Sequence, residues 1–131
     1  MLENLDVLVL DDEPIVGKRL KAVLGKIGCQ VETFTDPLRA FDRIAEKQFH
    51  IVVTDIVMGE IDGIQVLERV IEKWPQTKVI MITGYAMMAM ARRAMERGAF
   101  DFIAKPFKPE ELRAVVTRAA AELEPRVVKV T

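Results

Sequence analysis

Apolar and polar positions follow two rhythms along this chain. The first is a set of short apolar runs: Val7-Leu8-Val9-Leu10, Ile51-Val52-Val53-Thr54, Val79-Ile80-Met81-Ile82 and Phe100 to Ala104. Runs of this length bounded by polar or glycine-containing turns predict strands buried on both faces. Gln30 to Phe34 alternates polar and apolar instead, which predicts a strand at a less protected edge of the sheet. The second rhythm is helical. Val16, Leu20, Val23, Leu24 and Ile27 give a stripe over Pro14 to Gly28, with proline in the first turn and glycine at the end. Asp36-Pro37 opens a second helix whose expected buried stripe is Leu38, Phe41, Ile44 and Ala45. A third runs from Gly63 to Trp74 on Ile64, Leu67, Val70, Ile71 and Trp74, and Pro75 ends it. Tyr85 to Arg97 is the fourth, closed by Gly98. Pro109 to Leu123 is the fifth, on Leu112, Val115, Val116, Ala119 and Leu123. Glu110 and Glu111 lie in its first turn, where the helix dipole favours acids.

Strand and helix therefore alternate five times, and each connection is long enough for one crossover helix. The most apolar strands belong at the centre of a parallel sheet and the more polar ones at its edges. That is an α/β, flavodoxin-like (βα)5 arrangement, with strand order 2-1-3-4-5 and helices on both faces. The 131 residues suit one domain with one core, expected over 1–124. Pro125 breaks the last helical pattern, so 125–131 is expected to be a tail or the start of a linker.

Charge and composition remove several functions. There are 19 basic and 20 acidic residues, a net charge of -1, and so no electrostatic footprint for direct nucleic acid binding. No apolar run approaches the ~20 residues needed to span a bilayer, and the N-terminus has no signal-peptide pattern. A soluble, cytoplasmic chain is expected, with no membrane partner. The single cysteine, Cys29, excludes an internal disulfide and a multi-cysteine metal site; it is expected to pack at the start of a strand. His50, the only histidine, is expected to be a loop residue. Lys18, Arg19, Lys21 and Lys26 mark the outer face of the first helix, either a solvated face or a docking surface for an acidic partner.

The candidate chemistry lies where strands end. The first runs into Asp11-Asp12-Glu13, the third into Asp55, the fourth into Thr83-Gly84 and the fifth into Lys105-Pro106. In a parallel sheet all of these meet at the carboxyl edge, where open α/β sheets bind ligands. Carboxylates about 4 Å apart repel by up to ~4 kcal/mol at an effective dielectric near 20, so such a cluster needs protons or a cation. Oxygen-only ligands with positions left for water suit Mg²⁺. Helix capping explains one acid beside Pro14, but not three carboxylates and a lysine at one rim. Lys105 can neutralise the excess charge or pair with a phosphate oxygen, and Thr83 can donate to another. A carboxylate can itself accept a phosphoryl group, and Asp55 is the best-placed candidate.

Leu10-Asp11-Asp12-Glu13, Thr54-Asp55-Ile56-Val57-Met58, Asp62-Gly63, Ile82-Thr83-Gly84, Gly98-Ala99-Phe100-Asp101-Phe102 and Lys105-Pro106-Phe107 resemble the response-regulator receiver domain of two-component signalling. The resemblance covers about residues 5 to 123. It implies a phospho-acceptor switch in which Asp55 is phosphorylated from a histidine kinase or phosphotransfer protein. It implies Mg²⁺ (or Mn²⁺) held by Asp12 and Asp55 directly, by Asp11 largely through water, and by the backbone carbonyl of Val57. It also makes Thr83 and Phe102 a switch pair: Thr83 moves to the phosphate and Phe102 turns into the space vacated. The face built from the fourth helix, fifth strand and fifth helix would then control an output partner or fused effector, or form a homodimer. Candidates on it are Met88, Ala91, Met95 and Phe102, methionine being common on adaptable binding surfaces; gap-filling in an ordinary helix explains the methionines equally well.

Three positions depart from or qualify the pattern. Gly59 stands where the family usually has proline, which implies a more mobile loop. Val57 and Tyr85 occupy positions that flank the phosphoryl group and are poor at orienting water, which implies a long-lived phosphoryl state. Two other functions compete. An Mg-dependent aspartyl-phosphate phosphohydrolase generally spaces its two acids two residues apart, whereas Asp11 and Asp12 are adjacent. A receiver-like interaction module that is never phosphorylated would not need Asp55, Thr83 and Lys105 together. The expectation is a domain that catalyses only its own phosphorylation and dephosphorylation.

Overall fold

Every residue of the strand Ile51–Asp55 is buried, so this strand must be covered on both faces and flanked on both sides. The computed structural model describes residues 2–84 and 87–123; the expected tail at 125–131 lies outside them. Their order is β1 (Asp6–Leu10), α1 (Pro14–Gly25), β2 (Gln30–Phe34), α2 (Pro37–Glu46), β3 (Ile51–Asp55), α3 (Gly63–Lys73), β4 (Lys78–Thr83), α4 (Met88–Glu96), β5 (Asp101–Ala104) and α5 (Pro109–Leu123). The five strands are parallel in the order β2-β1-β3-β4-β5. The three apolar strands are central, and the polar-alternating β2 is at an edge, as its pattern predicts.

Side-chain alternation splits the core into two layers. Val7, Val9, Ile51, Val53, Ile80, Ile82 and Ile103 face α1 and α5, meeting Leu20, Leu24, Leu112, Val116 and Ala119. Leu8, Leu10, Val52, Val79 and Met81 face α2, α3 and α4, meeting Ile44, Leu67, Val70, Ala91 and Ala94. Cys29 is buried in the first layer, and burial pushes its thiol up to about 11. His50 lies between α2 and β3; its Nδ1 accepts the amide of Asp6 at 2.9 Å.

Helix ends and phases differ from expectation in specific places. α1 stops at Gly25 rather than Gly28; a turn follows, and Gly28 takes a φ of 100°, which suits a residue without Cβ. On α2 the buried pair is Ala40 and Ile44, whereas Leu38 is 61% exposed and Ala45 is also exposed. At about 100° per residue, neither Leu38 nor Ala45 shares a face with Ala40 and Ile44. The first residues expected in α4, Tyr85 and Ala86, lie outside the described residues. Capping follows expectation at α2, where the Asp36 carboxylate accepts the Leu38 amide at 3.0 Å. At α3, Asp62 and Gln65 form a reciprocal capping box, which satisfies two amides that the helix leaves free.

The entry to α3 presses directly on the end of β3. A Cβ at Gly63 would stand 2.5 Å from the Asp55 carbonyl oxygen and 2.9 Å from the Ile56 Cα, backbone atoms that cannot step aside. The Gly63 amide donates to the Ile56 carbonyl at 2.7 Å. Gly63→Ala is therefore expected to destabilise the fold by about 1–3 kcal/mol, the usual range for overpacking. Urea unfolding followed by Trp74 fluorescence measures this, and the same midpoint as wild type would contradict it.

Candidate functional site

Strand register brings the chemistry together. Leu10 pairs with Thr54, so Asp11 and Asp55 are the next residues out on adjacent strands. Thr83 pairs with Ala104, so Lys105 leaves the sheet beside Thr83, and its amide donates to the Thr83 carbonyl at 2.7 Å. The ladder also continues past β3, with the Ile56 amide on the Ile82 carbonyl at 3.1 Å. These bonds fix the backbone under each site residue, because a parallel sheet edge presents its last side chains in one row.

Lys105 Nζ lies 3.3 Å from Asp11 Oδ2 and 3.3 Å from Asp55 Oδ2, with Glu13 Oε1 at 3.7 Å. Asp11 and Asp55 are buried; Asp12 is exposed. One carboxylate oxygen from each of Asp11, Asp12 and Asp55 lies within 4.8 Å of the other two. Burial raises the Asp55 pKa, with the neighbouring Asp11 adding to it, against the opposing pull of Lys105 and of the Val57 amide. That amide donates to Asp55 Oδ1 at 3.3 Å. Burial works against the charge on Lys105, but Asp55 and Asp11 outweigh it and hold its pKa above the ordinary lysine value. Lysine thus stays charged, while the ionised carboxylates remain under-compensated.

That imbalance fits a divalent cation. The donor set is all oxygen and one member faces solvent, which favours Mg²⁺ or Mn²⁺ over a soft metal. Asp11, Asp12 and Asp55 could hold it.

Other predicted residues have mixed placements. Thr83 is buried, and its hydroxyl donates to the Gly84 carbonyl at 3.0 Å. Phe102 is half-buried against the layer that includes Ala91 and Ala94. Val57 is 49% exposed, beside the acceptor; its flanking partner Tyr85 lies outside the described residues. Of the proposed output residues, Met88 is half-buried and Met95 is 38% exposed. Ala91 is a correction: it is fully buried and, with Ala94, forms the inner stripe of α4, so it cannot belong to an output surface. Helical phase decides this, since Ala91 and Ala94 are three apart on one side.

Glu13 precedes Pro14 at the entry to α1, where helix capping is the expected role for an acid. It does occupy the N-cap position of α1, yet its side chain caps nothing. Instead its amide donates to Asp11 Oδ1 at 2.9 Å, and its carboxylate turns toward Lys105. The run of three acids in Asp11-Asp12-Glu13 was the available signal.

Comparison with known proteins agrees with this geometry. Residues 7–117 match the family model for the response regulator receiver domain. The chain is 33% identical over 119 residues to the transcriptional regulatory protein ZraR of Klebsiella oxytoca, covering 91% of this chain and 27% of that protein. The crystal structure of a response regulator receiver domain protein from Clostridium thermocellum superposes with a TM-score of 0.86 at 27% identity, over 90% of this chain and 95% of that one. The receiver domain of NtrX from Brucella abortus gives 0.84 at 33% identity, over 88% and 98%. Fold and acidic rim together are those of a receiver-type signalling domain. The chain belongs to the response-regulator receiver domain family of two-component systems, and it spans about a quarter of the length of the curated relatives it first matches.

The electrostatics predict a stability effect. Because the Asp55 carboxyl has a raised folded pKa, its ionised form is disfavoured by folding at pH values above that pKa. Asp55→Asn is therefore expected to raise the melting temperature at pH 7 by a few degrees without Mg²⁺, and the gain should shrink as pH falls and the wild-type carboxyl protonates. Mg²⁺ should stabilise wild type more than the variant. Differential scanning calorimetry across pH tests this; a variant less stable than wild type at pH 7 would contradict it.

Proposed function

We propose that this receiver domain is a phospho-acceptor switch that takes a phosphoryl group on Asp55 from a histidine kinase or phosphotransfer protein. The observation that carries the reading is Lys105 Nζ at 3.3 Å from both Asp11 and Asp55, beside three carboxylates that converge on one point. Asp55 Oδ attacks phosphorus in line as the donor's bond to phosphorus breaks, leaving an aspartyl phosphate. Lys105 exchanges its contact with the Asp55 carboxylate for a phosphate oxygen, so its charge stays paired throughout. The amide of Val57 already points at Asp55 Oδ1 and can donate to an oxygen of the modified group.

A divalent ion held by Asp11, Asp12, Asp55 and the Val57 carbonyl would neutralise charge on the phosphoryl oxygens. Thr83 would leave the Gly84 carbonyl to donate to the phosphate, and Phe102, now half-buried, would turn further into the interior. The face carrying Met88, Met95 and Phe102 would change shape as a result, and it would carry the signal to an output partner or effector, or pair two copies of the chain. Val57 offers no polar atom for orienting an attacking water, so self-hydrolysis is expected to be slow. The phosphohydrolase alternative finds no support in the adjacent spacing of Asp11 and Asp12.

Incubation with phosphoramidate and Mg²⁺, read by intact mass, is the test. Wild type is expected to gain one phosphoryl group, labile to base and hydroxylamine, and Asp55→Ala none. Equal gain in both proteins, or continued turnover of small phosphomonoesters, would contradict the switch. A phosphoryl half-life of seconds would contradict the slow hydrolysis.

A further inference from the structure

Glu13 is the site carboxylate that neither capping, cation binding nor the acceptor role explains. Its side chain is 63% accessible, against 0% for Asp11 and 12% for Asp55, yet it meets the same ammonium at 3.7 Å. Among the described residues, Lys105 is the only cation within 4.0 Å of Asp11, Glu13 or Asp55. The Glu13 backbone is held in place by the hydrogen bond that its amide donates to Asp11 Oδ1 at 2.9 Å on one side and by Pro14 on the other. An ion pair this exposed adds little stability. What it adds is a fixed negative charge at the solvent mouth of the site, next to exposed Asp12. Val57, exposed beside Asp55, brings no charge to offset it.

We propose that Glu13 selects phosphoryl donors by charge: it disfavours small dianionic acyl phosphates relative to donors whose phosphoryl group is bonded to nitrogen. This rests on Asp55 being the acceptor. Acetyl phosphate near neutral pH is a dianion. Phosphoramidate carries a protonated nitrogen and is less negative. With either donor, an Asp55 oxygen forms the bond to phosphorus while the bond to the leaving group breaks. The bonding pair leaves on acetate in one case and on ammonia in the other, whose nitrogen already carries its proton. The transferred group is the same, so what differs at the mouth is the donor's charge. Like charge there lowers local concentration of the dianion and penalises its docking.

The test compares wild type with Glu13→Gln and Glu13→Lys, measuring initial phosphorylation rates with each donor at saturating Mg²⁺. The ratio of the acetyl phosphate rate to the phosphoramidate rate is expected to rise about threefold in Glu13→Gln, the factor for one unit charge acting across about 6 Å of water. It should rise further in Glu13→Lys, and both shifts should shrink at high salt. A general disturbance of the site would change both donors by the same factor, and that result, or an unchanged ratio, would overturn the proposal. Wild type that gains phosphate from neither donor would instead overturn the acceptor reading beneath it.

Discussion

Everything at the rim of this molecule depends on the charge balance between Lys105 and the carboxylates it touches. A parallel sheet whose first and third strands are neighbours forces Asp11 and Asp55 side by side, and burial of both removes the water that would screen them. Lys105 supplies part of the missing positive charge from the end of β5, on the far side of β4. Burial, with Asp11 adding to it, raises the Asp55 pKa, while the two carboxylates raise that of Lys105 against its own burial. A rim left short of positive charge would attract a cation, and that cation together with Lys105 would offset the charge of an incoming phosphoryl oxygen.

The fold is arranged to hold that imbalance rather than relieve it. The Ile56 and Lys105 amides extend the sheet's bonding past β3 and β5, and α3 starts so close to the Asp55 carbonyl that only glycine fits at position 63. The two apolar layers fix the strands against each other from both faces. A fixed sheet under these side chains suits the proposed switch, in which Thr83 and Lys105 would exchange partners while the sheet stays still.

Much of this was legible because each chemical residue closes an apolar run. Asp55 follows Ile51 to Thr54, an apolarity that belongs at the centre of a sheet, and Lys105 follows Phe100 to Ala104, which forms the edge strand beside β4. Phase on weakly patterned helices was less legible. Ala40 and Ala91 are fully buried, but alanine suits either side of a helix, so the larger Leu38 was wrongly given the core of α2, and Ala91 was wrongly given the surface. The contact between Glu13 and Lys105 joins opposite ends of the chain, and no local spacing announces it. Helix capping was the nearest explanation available for that acid, and the extended loop that carries it does not use it.

The most direct test is a crystal structure with Mg²⁺ and beryllofluoride. The expected result is a metal about 2.1 Å from oxygens of Asp12, Asp55 and the Val57 carbonyl, the fluoride adduct on Asp55, and Lys105 moved onto that adduct from the Asp55 carboxylate. A metal bound away from these carboxylates, or an adduct on any other residue, would contradict it.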